Sequence, residues 1–449
     1  MFAGLSHISR PGSRLLRRTT RAHSSRVQDA EPPVELVVER LVYGAEALAH
    51  HEGRVVFVPY VAPGERVRVR IVERRAGFLR AELSDVLTAA PDRPAPRCRF
   101  FGECGGCQWQ HLTVAAQRTA KAALVEQQLA RLGGLRDVNV RPPLAPGAPW
   151  AYRARITLAV EARMLGFRRA RSHSLVAIDD CSIADPALVA HLDVARDWVA
   201  TLRTVPDRVT LARAPGGVVL VADTRRRPAN ADVTATETLL ARHASVRGAV
   251  LAGTGARAVV GDPRVLMPLE PDLQLEVPAD AFTQVNAAAN PVIVATVLEL
   301  AALRPGARAL DLYCGAGNFT LALGRRGVDV LGIERSTVAV EAGRANAARL
   351  GVTGARFACG PVAAELARLP VEALDAIVLD PPRSGAAEIV PQLVARRPRC
   401  VVYVSCDPAT LARDARDLVA GEYDLVHVQP IDVFPQTYHI ETVAEFVLN

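Results

Sequence analysis

Lysine is almost absent from this chain. Lys121 is the only one in 449 residues, so nearly all positive charge is carried by arginine. With the high alanine content, that bias reads as codon drift in a GC-rich genome rather than selection for forked contacts to RNA. No run of 18 apolar residues occurs although 50% of the residues are hydrophobic, so no segment is expected to span a membrane as a helix. The first 30 residues lack the apolar stretch of a secretory signal. The eight cysteines are clustered rather than evenly spread. In a long chain without a secretion signal that argues against a disulfide scaffold and for metal or catalytic roles in a reducing compartment, so a cytoplasmic protein is expected.

Charge is uneven. Residues 1–30 hold six arginines against Asp29, a net of +5 out of the total of +7, leaving +2 for everything else. A nucleic-acid surface on the body of the protein must therefore be a local patch. The Arg- and Ser-rich, acid-poor leader has the composition of an organellar transit peptide. A disordered basic arm is the expectation for it.

The chain divides by pattern. Over residues 31–90, short apolar or alternating runs (Val34–Arg40, Arg54–Pro59, Arg66–Val72, Leu79–Val86) are separated by Gly44, Gly53, Pro63-Gly64 and Gly77. About five short strands point to a small OB-like barrel. A proline-rich hinge over residues 91–97 opens a mixed α+β region that continues to residue 280. It holds a helix from about Thr113 to Leu132 ended by Gly133-Gly134, and strands near Arg155–Glu161, Val218–Ala222 and Ala249–Leu251. Residues 281–449 alternate helix and strand, which predicts a doubly wound, Rossmann-like α/β domain with its ligands at the C-terminal strand ends.

Within that domain Leu310-Asp311-Leu312-Tyr313-Cys314-Gly315-Ala316-Gly317-Asn318 reads as a strand entering a Gly-rich turn and a helix. Gly315 and Gly317 allow close backbone approach, and Glu334 ends the next strand, where a carboxylate can take both ribose hydroxyls. Thr320 occupies the third position of the dinucleotide G-x-G-x-x-G pattern. That favours S-adenosylmethionine over a pyrophosphate cofactor. Cys314 reads as a packing residue.

Asp380-Pro381-Pro382-Arg383 follows an apolar strand, Ser405-Cys406-Asp407-Pro408 follows another, and His439-Ile440-Glu441 stands near the end. C5 of uracil is a poor nucleophile. If a thiolate adds to C6, C5 becomes nucleophilic and can take a methyl group; a base must then remove the C5 proton so that the thiolate can leave. Such a site needs a cysteine whose pKa lies below ~8.5, a polar group at the uracil edge, and a carboxylate on the C5 side. Cys406, Asp380 and Glu441 fit those roles. His439 reads as a structural hydrogen-bonder. Separately, Cys98-x5-Cys104-x2-Cys107 lies on a Gly-rich loop and Cys181 follows 74 residues later. Four thiolates can complete a tetrahedral zinc or iron–sulfur site, and spacing does not separate the two.

These motifs as a set resemble the RNA uracil-5-methyltransferases that carry an N-terminal TRAM domain and a [4Fe-4S] cluster, from about residue 34 to the end. Val55-Val56-Phe57-Val58-Pro59 looks like the middle of TRAM, and Trp150-Ala151-Tyr152-Arg153 and Leu165-Gly166-Phe167 look like central-domain signatures. The resemblance implies a class I S-adenosylmethionine-dependent methyltransferase domain, with Cys98, Cys104, Cys107 and Cys181 as cluster ligands. It implies Gln284, Tyr313, Asn318 and Glu334 at the cofactor, Phe282 near the target base, and Arg383 beside it. It puts Cys406 as nucleophile, Glu441 as base and Asp380 as the acid of the D-P-x-R motif, a residue that also stands at the cofactor. One departure concerns the acid or amide that family members usually carry after the strand near Phe357 to hold the adenine amino group. Gly360-Pro361 stands there.

The resemblance favours 23S ribosomal RNA as substrate, with transfer RNA as the alternative and a flipped-out uridine as the reacting unit. A monomer is expected. A 5-methylcytosine enzyme is disfavoured because no cysteine stands in Asp380-Pro381-Pro382-Arg383. A non-catalytic RNA-binding protein is disfavoured by the intact Cys406 and Glu441.

Overall fold

The computed structural model describes residues 32–449 apart from residue 371. The basic leader read over residues 1–30 lies outside the described residues. No helix among them is long and apolar enough to cross a membrane.

The N-terminal segment forms a sheet of six strands, in the order Val34–Val37, Arg66–Arg74, Phe78–Thr88, Arg54–Pro59, Glu46–His51 and Arg40–Val42. Alternation builds its core: Val67 and Val69 point inward with Val56, Val58 and Leu79, while Arg66 and Arg70 face water. The strand Glu46–His51 was invisible to pattern reading because Ala, Leu and His carry little β preference. Pairing on both sides creates it. The proline-rich hinge is not loose. Arg93 donates to both oxygens of the buried Glu65 (2.9 and 2.7 Å) and to the Tyr60 carbonyl (3.0 Å).

Helix Val114–Leu132 starts at Thr113, whose hydroxyl accepts from the Ala116 N–H. Its inner face buries Lys121 fully. The Nζ donates to Asp432 (2.5 Å) and the Phe434 carbonyl (2.9 Å). The chain's single lysine is thus a buried clamp, where desolvation makes pairing obligatory. A seven-stranded central sheet follows, running Ala256–Gly261, Val246–Gly253, Gly217–Asp223, Arg208–Ala214, Arg155–Glu161, Met164–Arg168 and Leu175–Ala177. Proline-punctuated residues 263–278 form a two-stranded hairpin, Arg264–Glu270 with Leu273–Pro278.

The C-terminal sheet has seven strands in the order Ala355–Cys359, Asp329–Glu334, Arg308–Leu312, Ala376–Leu379, Cys400–Ser405, Glu441–Leu448 and Tyr423–Ile431. The first five are mutually parallel, and Glu441–Leu448 runs against both its neighbours. Chain order reverses between Arg308–Leu312 and Ala376–Leu379, so the ligand crevice opens there, past the carboxyl ends of the strands.

Candidate active site and cysteine pocket

Leu312 pairs with Leu379, Leu379 with Tyr403, and Ser405 with Thr442. Tyr313, Asp380, Cys406 and Glu441 therefore leave the sheet at one edge. Cys406 precedes Asp407, which caps helix Pro408–Ala420 by accepting from the Ala409 and Thr410 N–H groups (2.9 and 3.1 Å). A helix N-terminus favours a thiolate, but burial and the nearby Glu441 and Asp380 carboxylates push the Cys406 thiol up to about 12, against a smaller opposing effect of Arg383. The thiol therefore lies above its ordinary range rather than below it, first because the sulfur is buried and then because two acids stand near it. Burial likewise raises Asp380 to about 7, helped by Asp311. Glu441, buried at 3% exposure, is raised well above the ordinary carboxylate range by burial and by Asp380.

His439 is lowered to about 3, first by burial and then by the charges of Arg383, Arg153 and Lys121. It stays neutral, and its ring is held by packing on Tyr438 and Phe434, with centroids at 4.2 and 6.2 Å, rather than as the hydrogen-bonder the sequence suggested. Tyr43, in the turn after the strand Arg40–Val42, meets Tyr438 edge-on at 5.5 Å. The N-terminal segment therefore reaches the chain just before Glu441.

The Gly-rich turn is shaped by unusual backbone. Tyr313, Gly315 and Gly317 have φ of +64°, +55° and +91°. A Cβ on Gly317 would lie 2.9 Å from the Phe357 ring. Glu334 is oriented at its strand end by the Ser336 N–H (2.8 Å) and the Gly315 N–H (3.3 Å). Thr320 donates through its N–H and hydroxyl to one oxygen of Asp311 (2.7 and 2.6 Å). The close helix–strand approach that a third glycine would permit is supplied from the strand by Gly332. A Cβ there would meet Thr320 Oγ1 at 2.6 Å and Cys314 Sγ at 2.8 Å. Cys314 is buried packing, as read from the sequence. Asn318 and Asn290 exchange side-chain amide hydrogen bonds (2.9 and 2.8 Å). Gln284 is buried, while Phe282 is 67% exposed, and Arg383 is exposed too.

Two residues were missed by sequence reasoning. Asn290 fixes Asn318 from a helix in which it reads as an ordinary polar position. Asp311 is fully buried, its second carboxylate oxygen has no hydrogen-bond partner among the described residues, and burial raises it to about 7. A charged residue inside an otherwise apolar buried strand is the signal that could have found it.

Cys98, Cys104, Cys107 and Cys181 line one pocket of about 280 Å³, with Arg153 and Arg155 in its wall. The loop lies hard against the central sheet. The Gly105 N–H donates to the Arg168 carbonyl (2.9 Å), and a Cβ on Gly105 would come within 3.0 Å of that oxygen. Arg153 Nε, Arg155 Nε and Nη2, and Gln110 Nε2 are buried without partners among the described residues. Among the described residues, no group of three or more Cys, His, Asp or Glu side chains is placed to hold a metal ion as the side chains stand. The far side of the loop grips the chain just before Glu441. Gln108 and Trp109 N–H groups both donate to the Gln436 carbonyl (3.1 and 3.0 Å), and Gln117 exchanges hydrogen bonds with Gln436.

A parallel sheet with one reversed strand, a Gly-rich turn and a strand-end glutamate define a class I methyltransferase domain. The family model for tRNA (uracil-5-)-methyltransferases matches residues 270–446, and that for the TRAM domain matches residues 34–84. A protein of Alkalilimnicola ehrlichii named 23S rRNA (uracil(1939)-C(5))-methyltransferase RlmD is 38% identical over 92% of this chain and 96% of its own length. One of Nitrosococcus oceani bearing the same name is 36% identical over 94% and 98%. The crystal structure of Pyrococcus abyssi tRNA (uracil-54, C5)-methyltransferase with S-adenosyl-L-homocysteine has a TM-score of 0.71 at 23% identity, over 92% of this chain and all of that one. The chain belongs to the RNA uracil-C5-methyltransferase family, and it is an S-adenosylmethionine-dependent enzyme.

Proposed function

We propose that this enzyme methylates C5 of one uridine of 23S ribosomal RNA through a covalent bond between Cys406 and C6. The full-length similarity to relatives named for that RNA supports the substrate. The observation that carries the mechanism is the shared edge of Cys406, Asp380 and Glu441. The Cys406 thiolate, its proton released to solvent, adds to C6 and drives electron density onto C5 and O4. C5 attacks the methyl group on the sulfonium, whose S–CH3 bond breaks. Glu441 removes the C5 proton; that electron pair restores the C5–C6 double bond and expels the thiolate. Burial makes Glu441, once ionised, a stronger base than an exposed carboxylate. Ionised Asp380 accepts from N3–H of the uracil, Arg383 offsets the negative charge, and the exposed Phe282 lies against the base. Gln284, Tyr313, Gly315, Gly317, Asn318 and Glu334 line the cofactor's path, with Glu334 on the ribose.

The four cysteines hold a [4Fe-4S] cluster in this reading. The resemblance to the cluster-bearing family favours iron–sulfur over zinc, and the four cysteines share one pocket. The unpaired Arg153 and Arg155 nitrogens suit an anionic cluster. When bound, the cluster would serve as a cross-link, holding the loop whose far side carries Gln436. Anaerobically purified protein is expected to contain iron and acid-labile sulfide; stoichiometric zinc would overturn this assignment. Residues 31–90, 91–280 and 281–449 then serve as the TRAM, cluster and methyltransferase domains of a cytoplasmic monomer. Mapping 5-methyluridine in total RNA with and without the gene tests the substrate. Loss of a transfer-RNA site with 23S RNA unchanged would reassign it.

A further inference from the structure

Gly360-Pro361 leaves no acidic or amide side chain directly after the strand Ala355–Cys359. A carboxylate nevertheless occupies that space. The Glu365 side chain folds back from the helix Val362–Arg368, and a Cβ on Gly360 would come within 2.5 Å of its Oε1 and 2.7 Å of its Cγ. Any side chain at 360 would push the glutamate out of this position. The position relative to the cofactor follows from the sheet. Glu334 is in register with Cys359 on the neighbouring parallel strand, and the Gly360 N–H donates to the Glu334 carbonyl (3.0 Å). With the ribose on Glu334 and the reacting methyl group toward Asp380 and Cys406, the base must extend the other way, over Gly360.

Helix capping does not account for the fold-back. A glutamate in the first turn often reaches back to the N-cap N–H, but Pro361 has none. Among the described residues Glu365 accepts one hydrogen bond, from Arg368 (2.6 Å), through Oε1. We infer that Glu365 receives the exocyclic amino group of the cofactor's adenine, so that a helix residue sets the enzyme's choice of nucleobase at a site whose strand-end residue is glycine. The inference rests on the cofactor placement proposed above.

The test compares binding of S-adenosylhomocysteine with S-inosylhomocysteine, whose 6-oxo group offers no donor, by calorimetry on the full-length protein. Wild-type protein should prefer the adenosyl compound by about tenfold or more, the usual effect of losing a hydrogen bond to a charged group. Glu365→Ala should reduce that preference to near unity by weakening only the adenosyl compound. Glu365→Gln, which keeps an acceptor oxygen, should retain part of it. Gly360→Ala, which displaces the carboxylate, should resemble Glu365→Ala, with melting temperatures showing that all variants fold. Full preference retained in Glu365→Ala would overturn the inference alone. If wild-type protein bound neither compound, the cofactor placement would fall with it.

Discussion

Ser405 stands opposite Thr442 in an antiparallel pair, and this register brings Cys406 and Glu441 to the same edge of the sheet. Had Glu441–Leu448 run parallel like the strands before it, its first residue would sit at the opposite end. The nucleophile and the base meet because one strand is reversed.

From that meeting, Cys406→Ala should abolish methyl transfer, by at least about a thousandfold, while cofactor affinity stays within about twofold of wild type. Glu441→Gln should instead accumulate an RNA–protein adduct stable to denaturing electrophoresis. Normal turnover by the alanine variant, or free product release by the glutamine variant, would remove the covalent scheme.

Cofactor affinity should depend on pH. Asp311 and Asp380 are raised to about 7, chiefly by burial. A sulfonium cation prefers their ionised forms, so S-adenosylmethionine should bind more tightly as pH climbs from about 6 to 8 and level off above. Uncharged sulfur in S-adenosylhomocysteine should make its affinity move less, and calorimetry at three pH values decides. The same two groups shape stability with the opposite sign. Unfolded, they ionise near 4, so their contribution is fully present in acid and is lost as pH rises through about 7.

Lys121 and Asp432 form a buried ion pair joining helix Val114–Leu132 to the segment before Glu441. Replacing Lys121 by methionine should cost about 3 kcal/mol, because it leaves the buried Asp432 carboxylate with only the longer Arg118 contact (3.4 Å). Adding Asp432→Asn should recover much of that loss. Urea unfolding measures both, and an additive double variant would show the pair to be uncoupled.

Gly332 faces Thr320 and Cys314 at distances no Cβ tolerates. Gly332→Ala should lower stability by about 1–3 kcal/mol through overpacking and loosen the turn that carries Gly315 and Gly317. Unchanged melting and unchanged cofactor affinity would refute the substitute-glycine role.

Local chemistry was legible at many positions. The Gly-rich turn, the strand-end Glu334, the Cys406 motif and the capped helix at Thr113 are each set by residues within a few positions of one another. Less legible were features made by partners far away in the chain. The strand Glu46–His51 exists through its neighbours' hydrogen bonds, the hinge is pinned by Arg93 on Glu65, and Gly332 replaces a glycine sought in the turn itself.

What the sequence determined alone was the inventory of reactive groups and the periodicity that sorts them onto strand ends, because backbone preference and hydrophobic alternation act over short range. Tertiary structure decided which groups share an environment, and hence their protonation. Burial beside Asp380 and Glu441 turns Cys406 from a cysteine expected to ionise readily into one raised to about 12. It also put the chain's one lysine in the core and placed the Glu365 carboxylate over Gly360. Electrostatic energy depends on distance and solvent access through space, and neither is written in the order of residues.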